Sequence, residues 1–228
     1  MLYIVSTPIG NLGDITLRAL EVLKAVDYVA SEDTRKTGMM LNHFGFKKPM
    51  LAFHEFNEEK VLPRMLAILE EGKDIALVTD AGTPSVSDPG YLLVRGVIDR
   101  GLKVTAIPGA SAVVTAVVLS GLPVYSFTFR GFPPHKGGPR KRFIGADKES
   151  PYTLVYYESP YRLIAFLKDA LEILGDRQVA VANDMTKMFE TIYRGKISDV
   201  VVELEKEKIR GEYVVVFEGV KKAGHSEE

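Results

Sequence analysis

The residues able to do chemistry lie in five short polar runs: STPIGNLGD (6–14), SEDTRKT (31–37), HEFNE (54–58), DAGTPSVSDPG (80–90) and PGASA (108–112). In the second run Glu32 and Asp33 stand beside Arg35 and Lys36, a mixture able to accept a proton from a hydroxyl or to orient one. The same residues can instead form an internal ion pair, with Asp33 or Thr34 capping a helix, and the sequence leaves both readings open. His54 can act as a base or a ligand, although a lone histidine at a strand end is more often a satisfied structural donor. In the fourth run Gly82, Pro84, Pro89 and Gly90 stiffen a loop that starts at Asp80. Its amides and the hydroxyls of Thr83, Ser85 and Ser87 can face a small polar ligand with little ordering cost. Pro108-Gly109 precede a helix whose free N–H groups face the same side, and Ser111 either caps that helix or reaches a ligand. STPIGNLGD is not a dinucleotide fingerprint: Gly10 and Gly13 are separated by two residues and Pro8 occupies the approach.

A sixth run has a different character. From Arg130 to Arg142 the chain carries Arg130, Lys136, Arg140, Lys141 and Arg142 with no acidic residue, interleaved with Phe132, His135, glycines and prolines. A solvated charge run is the plain reading. The aromatic ring among cations in a Pro/Gly segment favours polyanion contact, with phosphates gripped and bases stacked, and the composition reads as a mobile loop.

The elements that must hold these runs are legible. LYIVS (2–6), DYVAS (27–31), MLAFH (50–54), IALVT (75–79) and KVTAI (103–107) are continuous apolar strands of the doubly covered kind, and helical-period segments separate them. Five βα units predict a parallel sheet with right-handed crossovers, and ligands then sit beyond the carboxyl ends of its strands, where the polar runs fall. After the apolar helix ASAVVTAVVLSGLP the strands YSFTFRGF, YTLVYYE, RQVAVAND, ETIYRGK and EYVVVFEG alternate and are richer in aromatics, which predicts a mixed or antiparallel sheet. The expectation is two α/β domains, 1–116 and 117–221, with a frayed polar tail at 222–228.

Composition closes other routes. The 228 residues are 46% hydrophobic, so disorder is excluded, and the formal net charge of −1 means that any polyanion contact must be local. No cysteine is present, and His43, His54, His135 and His225 show no metal-ligand spacing, so no metal is expected. The most apolar stretch, Ala110 to Leu122, is short of the roughly 20 residues that a bilayer requires. With no basic, apolar leader pattern at the start, the expected location is the cytoplasm.

STPIGNLGD, SEDTR, HEFNE, DAGTPSVSDPG, PGASAVVTAVVLSGLP, YYESPYRL and the later Thr186, Lys187, Phe189 and Glu190 together resemble, in order and spacing, the rRNA-modifying branch of the tetrapyrrole-methylase (class III) superfamily of S-adenosylmethionine (SAM)-dependent methyltransferases. The resemblance runs from residue 2 to about residue 219. It implies 2′-O-methylation of a cytidine ribose in the decoding region of 16S rRNA within the small ribosomal subunit, by a homodimer with SAM in a cleft between its two domains. Carried over by position, the cofactor contacts are Pro8, Asp80, Gly82, Thr83, Val86, Ser111, Ala112, Tyr157 and Asn183. The expected catalytic group is Glu32, Asp33 and Arg35, with Glu158 and Lys187 from the second domain, and Arg130, Lys136, Arg140, Lys141 and Arg142 are the expected RNA contacts. Thr83 stands where tetrapyrrole enzymes carry the Asp of a G-D-P motif, which argues against a porphyrinoid substrate. Asn183-Asp184 replaces the more usual Arg-Glu, and the small helical extension of many members is absent from this sequence. The alternatives are a small-molecule tetrapyrrole methyltransferase of the same fold and a non-catalytic RNA-binding assembly module.

Overall fold

The computed structural model describes residues 1–220, so the tail expected at 222–228 lies outside the described residues. The chain divides into two compact units, Met1–Ser111 and the residues from Ala112 on.

In the first unit β1 (Leu2–Val5), β2 (Tyr28–Ser31), β3 (Met50–Ala52), β4 (Ile75–Leu77) and β5 (Val104–Ile107) form one sheet in the order β3-β2-β4-β1-β5, every pairing parallel. Helices α1 (Leu17–Ala25), α2 (Thr34–His43), α3 (Glu58–Glu70) and α4 (Tyr91–Asp99) connect them. The strands are apolar on both sides because both faces are covered. Leu2, Ile4, Leu51, Ile75 and Leu77 pack with Met65, Leu66, Leu69, Leu93 and Val97 of α3 and α4. Val5, Val29, Ala76 and Ile107 pack with Ala19, Leu23 and Leu41 of α1 and α2. Each fully buried Leu or Ile contributes about 1.5–3 kcal/mol, so the two layers fix the sheet's register firmly.

The strand order sets the location of chemistry. β1 sends its crossover to β2 on one side, whereas β4 sends its crossover to β5 on the other. The connections therefore leave β4 and β1 in opposite directions, the switch point at whose carboxyl ends the crevice of an open parallel sheet lies.

In the second unit α5 (Ala112–Ser120) leads to β6 (Phe127–Phe129), α6 (Gly137–Gly145), β7 (Thr153–Glu158), α7 (Leu163–Leu174), β8 (Gln178–Asn183), β9 (Thr191–Lys196), α8 (Ile197–Leu204) and β10 (Tyr213–Phe217). The sheet order is β6-β7-β10-β8-β9, parallel at β6/β7 and antiparallel elsewhere, which is the mixed sheet expected. α7 and α8 bury Phe166, Leu167, Ile197, Val200 and Leu204 against Tyr156, Val181, Val215 and Phe217. α5 packs on β8, β9 and β10.

One expectation is corrected. The run 130–142 is not a loop throughout, because α6 takes its second half from Gly137. Gly137, Gly138 and Pro139 read as turn formers, yet they occupy the first turn, where a proline's missing N–H has no intrahelical partner to lose.

Candidate active site

Two hydroxyl and amide contacts close the ends of β1 and β4 over the crevice. Thr7 and Gly82 exchange backbone hydrogen bonds of 2.8 and 3.1 Å, and the Thr7 hydroxyl donates to the Thr79 carbonyl at 3.0 Å. The Ser6 and Thr83 hydroxyls lie 2.9 Å apart, and Thr83 Oγ1 donates to the Ala110 carbonyl at 3.4 Å, which draws in the turn after β5. A Cβ on Gly109 would stand 3.0 Å from Ser6 Cβ, so only glycine lets that turn approach so closely. Pro8 is buried beside them and Val86 is 42% exposed. The structure thus gathers Pro8, Gly82, Thr83 and the turn leading to Ser111 at one place, from three separate runs of sequence.

The loop after β4 is strained and held. Ser85 and Ser87 adopt positive φ (71° and 63°), as do Gly82 and Gly90. Non-glycine residues in that region persist only where the surroundings over-determine them, and such strain concentrates at ligand-binding loops. Here the Gly90 amide donates to Glu58 at 3.1 Å, and a Cβ at Gly90 would run into the Ser85 hydroxyl and Leu77.

Next to this loop, carboxylates collect at the ends of β2 and β4. Burial and the charge of Asp80 push the Glu32 carboxyl above the ordinary carboxylate range. Burial, reinforced by the charges of Glu32 and Asp80, pushes Asp88 up to about 6. The Thr79 hydroxyl, on a residue only 5% exposed, sits among them and makes no hydrogen bond of ordinary length, although its proximity moderates both carboxyls. Asp33 is in a different situation. It caps α2 through the amides of Arg35 and Lys36 and grips the Arg35 guanidinium through both carboxylate oxygens, at 3.2 and 3.1 Å. These bonds hold its carboxyl down at about 2. Asp80 accepts from the Asp33 amide at 3.3 Å and pairs with Lys36 at 2.7 Å. Glu32 and Asp88 are therefore both suited to take up a proton, while Asp33 and Arg35 hold one another. Thr79 and Asp88 are missed by sequence reasoning, since SDPG reads as a turn and a threonine ending a strand carries no signal.

The second unit's predicted residues are in part brought together. Tyr157 and Glu158 end β7, and the Tyr157 ring meets Phe129 at 4.9 Å and Phe132 at 5.4 Å between centroids. Glu158 is 2% exposed, and its Oε1 takes the Ser159 amide and Arg162 at 2.7 Å each; burial, only partly offset by these donors, raises its pKa. The Asn183 amide donates to the Arg210 and Glu212 carbonyls, and Lys187 pairs with Asp184 and Glu212 at 2.8 Å each, so both are engaged within their own unit.

The five basic residues separate into two kinds. Arg130 pairs with Asp147 at 2.8 Å and lies over Phe143, and Lys141 pairs with Glu172 at 2.5 Å. Arg140, 7% exposed, is sealed against Asp169 at 2.6 Å. Three of the five thus serve the fold through acidic residues far along the chain, where no local pattern announces them. Lys136 and Arg142 are exposed and make no ion pair among the described residues.

SAM combines an adenosine, a sulfonium and an amino-acid end, and the site offers what these groups require: an exposed turn at Pro108-Gly109, the Ser6 and Thr83 hydroxyls and nearby carboxylates. The residues present fit the group.

Known proteins resemble the chain over nearly its whole length. A family model described as tetrapyrrole (corrin/porphyrin) methylases matches residues 1–201. The chain is 47% identical over 218 residues to a ribosomal RNA small subunit methyltransferase I from Thermotoga maritima, covering 96% of this chain and 98% of that protein. It is 46% identical to the protein of the same name from Escherichia coli O157:H7, covering 96% and 78%. Among solved structures it resembles a cobalt precorrin-4 methyltransferase (TM-score 0.70, 19% identity, 95% and 94% covered). It also resembles a uroporphyrin-III C-methyltransferase from Thermus thermophilus complexed with S-adenosylhomocysteine (TM-score 0.64, 18% identity, 95% and 96% covered).

Proposed function

Since the chain belongs to the tetrapyrrole (corrin/porphyrin) methylase family, we propose that it is the SAM-dependent methyltransferase of small-subunit rRNA, acting on the 2′-hydroxyl of a cytidine in the decoding region. The observation that supports the chemistry is the raised Glu32 carboxyl directly after β2, beside Asp80 and Asp88 in the loop after β4.

Pro8, Gly82, Thr83, Val86 and Ser111 hold the cofactor, whose backbone-rich cradle needs little reorganisation on binding. Bound SAM supplies an electrophilic methyl group on a sulfonium. The protein has to align the attacking hydroxyl and take its proton as the new O–C bond forms. Glu32 is that acceptor: burial makes it more basic than an ordinary carboxylate, and His54 and Lys36 stand near enough to limit the rise. Asp33 and Arg35 fix the start of α2, and so the backbone that carries Glu32. The target nucleotide has to leave its stack to reach the site, so an assembled subunit that holds it unstacked is the preferred substrate.

The test is incubation of the purified protein with labelled SAM and small subunits lacking their methylations, followed by mapping of the labelled nucleotide. Label at a cytidine ribose in the decoding region supports the reading. Label on a base, on another rRNA or nowhere overturns it.

A further inference from the structure

We propose that Phe132 is a stacking platform for an unpaired base of the RNA substrate. The proposal rests on the rRNA reading above and adds to it the residue that receives a base. Phe132 is 55% exposed, a large ring left in water at the end of β6. Its neighbours Gly131, at φ 65°, and Pro133 are buried, while the Phe132 ring is turned outward.

The backbone beneath the ring is pinned at three carbonyls. Gly131 accepts from the Tyr157 amide at 3.0 Å, Pro133 from Arg162 at 3.3 Å and His135 from Arg140 at 3.4 Å. Both arginines are held by carboxylates, Arg162 by the buried Glu158 and Arg140 by the half-buried Asp169. An exposed apolar side chain on an ordinary surface segment needs no such support. From behind, Tyr157 meets Phe132 at 5.4 Å with the rings inclined by 55°, and Phe129 meets Tyr157 edge-on. Phe132 therefore has one covered side and one open side.

The surroundings favour nucleic acid as the occupant. His135 and Lys136 follow on the exposed side, and Arg142 is exposed on α6. An aromatic face on a pinned segment that runs on into exposed cations is an arrangement by which proteins hold single-stranded RNA, with the ring taking a base and the cations the phosphates.

Binding of unmodified small ribosomal subunits is to be measured across a salt series for the wild type, Phe132→Ala and Phe132→Trp, with SAM affinity by calorimetry and the thermal midpoint of each protein. Phe132→Ala should bind the subunits about 5- to 150-fold more weakly, the range that loss of one base–aromatic stack produces. Its salt slope should equal that of the wild type, since no phosphate contact is removed. SAM affinity and thermal midpoint should be unchanged, and Phe132→Trp should restore binding. Wild-type affinity in Phe132→Ala, or a parallel loss of SAM binding or of stability, overturns the proposal while leaving the rRNA reading intact. A wild-type protein that neither binds nor methylates the subunits overturns the rRNA reading itself.

Discussion

Glu32 and Asp33 are adjacent carboxylates driven in opposite directions: Glu32 is raised by burial and the charge of Asp80, while the bonds from Arg35 and the α2 amides hold Asp33 down at about 2. One peptide step separates a group that can take a proton from one committed to holding a helix.

The two substitutions should therefore have different signatures. Glu32→Gln should lower kcat by about 10²- to 10⁴-fold, the usual contribution of a positioned base, with SAM affinity retained. Asp33→Ala should lower the thermal midpoint by a few degrees through the lost cap and lower kcat far less. Single-turnover methylation with calorimetric SAM titration separates them, and near-normal turnover by Glu32→Gln would remove Glu32 from the mechanism.

Asp88 gives a pH-dependent effect on stability. Its ordinary value is 3.8 and its folded value about 6, so between these the folded chain keeps a proton that the unfolded chain has released. Stability from this group is present below 3.8 and is lost as pH rises through about 6. Asp88→Asn cannot titrate, so its stability relative to the wild type should climb from pH 4 to pH 7 in denaturant unfolding. Glu32→Gln should also lower the Asp88 pKa, read from carboxyl carbon shifts by NMR, because one of the charges that raise it is gone. A flat stability difference across that range would mean that Asp88 is not shifted.

Much of this was legible in the sequence. Val- and Ile-rich runs fixed the parallel strands within a residue or two, since only a sheet covered on both faces accommodates them, and the polar runs fell at their carboxyl ends. The separate roles of Glu32 and Asp33 were not legible, because they depend on Asp80, 47 residues beyond Asp33, and on burial that no local pattern encodes. For the same reason Arg140 read as a surface cation: its partner Asp169 is 29 residues away on α7.

That difference predicts two classes of arginine variant. Arg140→Ala removes a 2.6 Å charge-assisted bond and leaves the half-buried Asp169 only Lys141 at 3.7 Å, so it should destabilise the second unit by about 1–3 kcal/mol. Lys136→Ala with Arg142→Ala should leave the thermal midpoint alone and reduce the salt slope of RNA binding by about 2, one for each phosphate contact. Melting curves and a salt series test both, and an unchanged slope in the double variant would exclude these two cations from the RNA interface.

Gly90 should not tolerate alanine. Its φ is 140°, and a Cβ there meets the Ser85 hydroxyl and Leu77. Gly90→Ala should destabilise the first unit by about 1–3 kcal/mol and weaken SAM binding together with stability, as unfolding curves and calorimetry would show. A variant as stable as the wild type with full SAM affinity would mean that the loop is not held as described.

The strand order also sets a timetable for synthesis. β1 is made first, yet its sheet partners are β4 and β5, so it has no neighbour until residues 75–77 and then 104–107 have been added. At about 5–20 residues per second, β1 waits roughly 5–20 s for its second partner. During that interval LYIV is an unpaired apolar segment within reach of the translating ribosome's surface and its chaperones. The step that joins Ser6 to Thr83, and so completes the crevice, is among the last events in building the first unit.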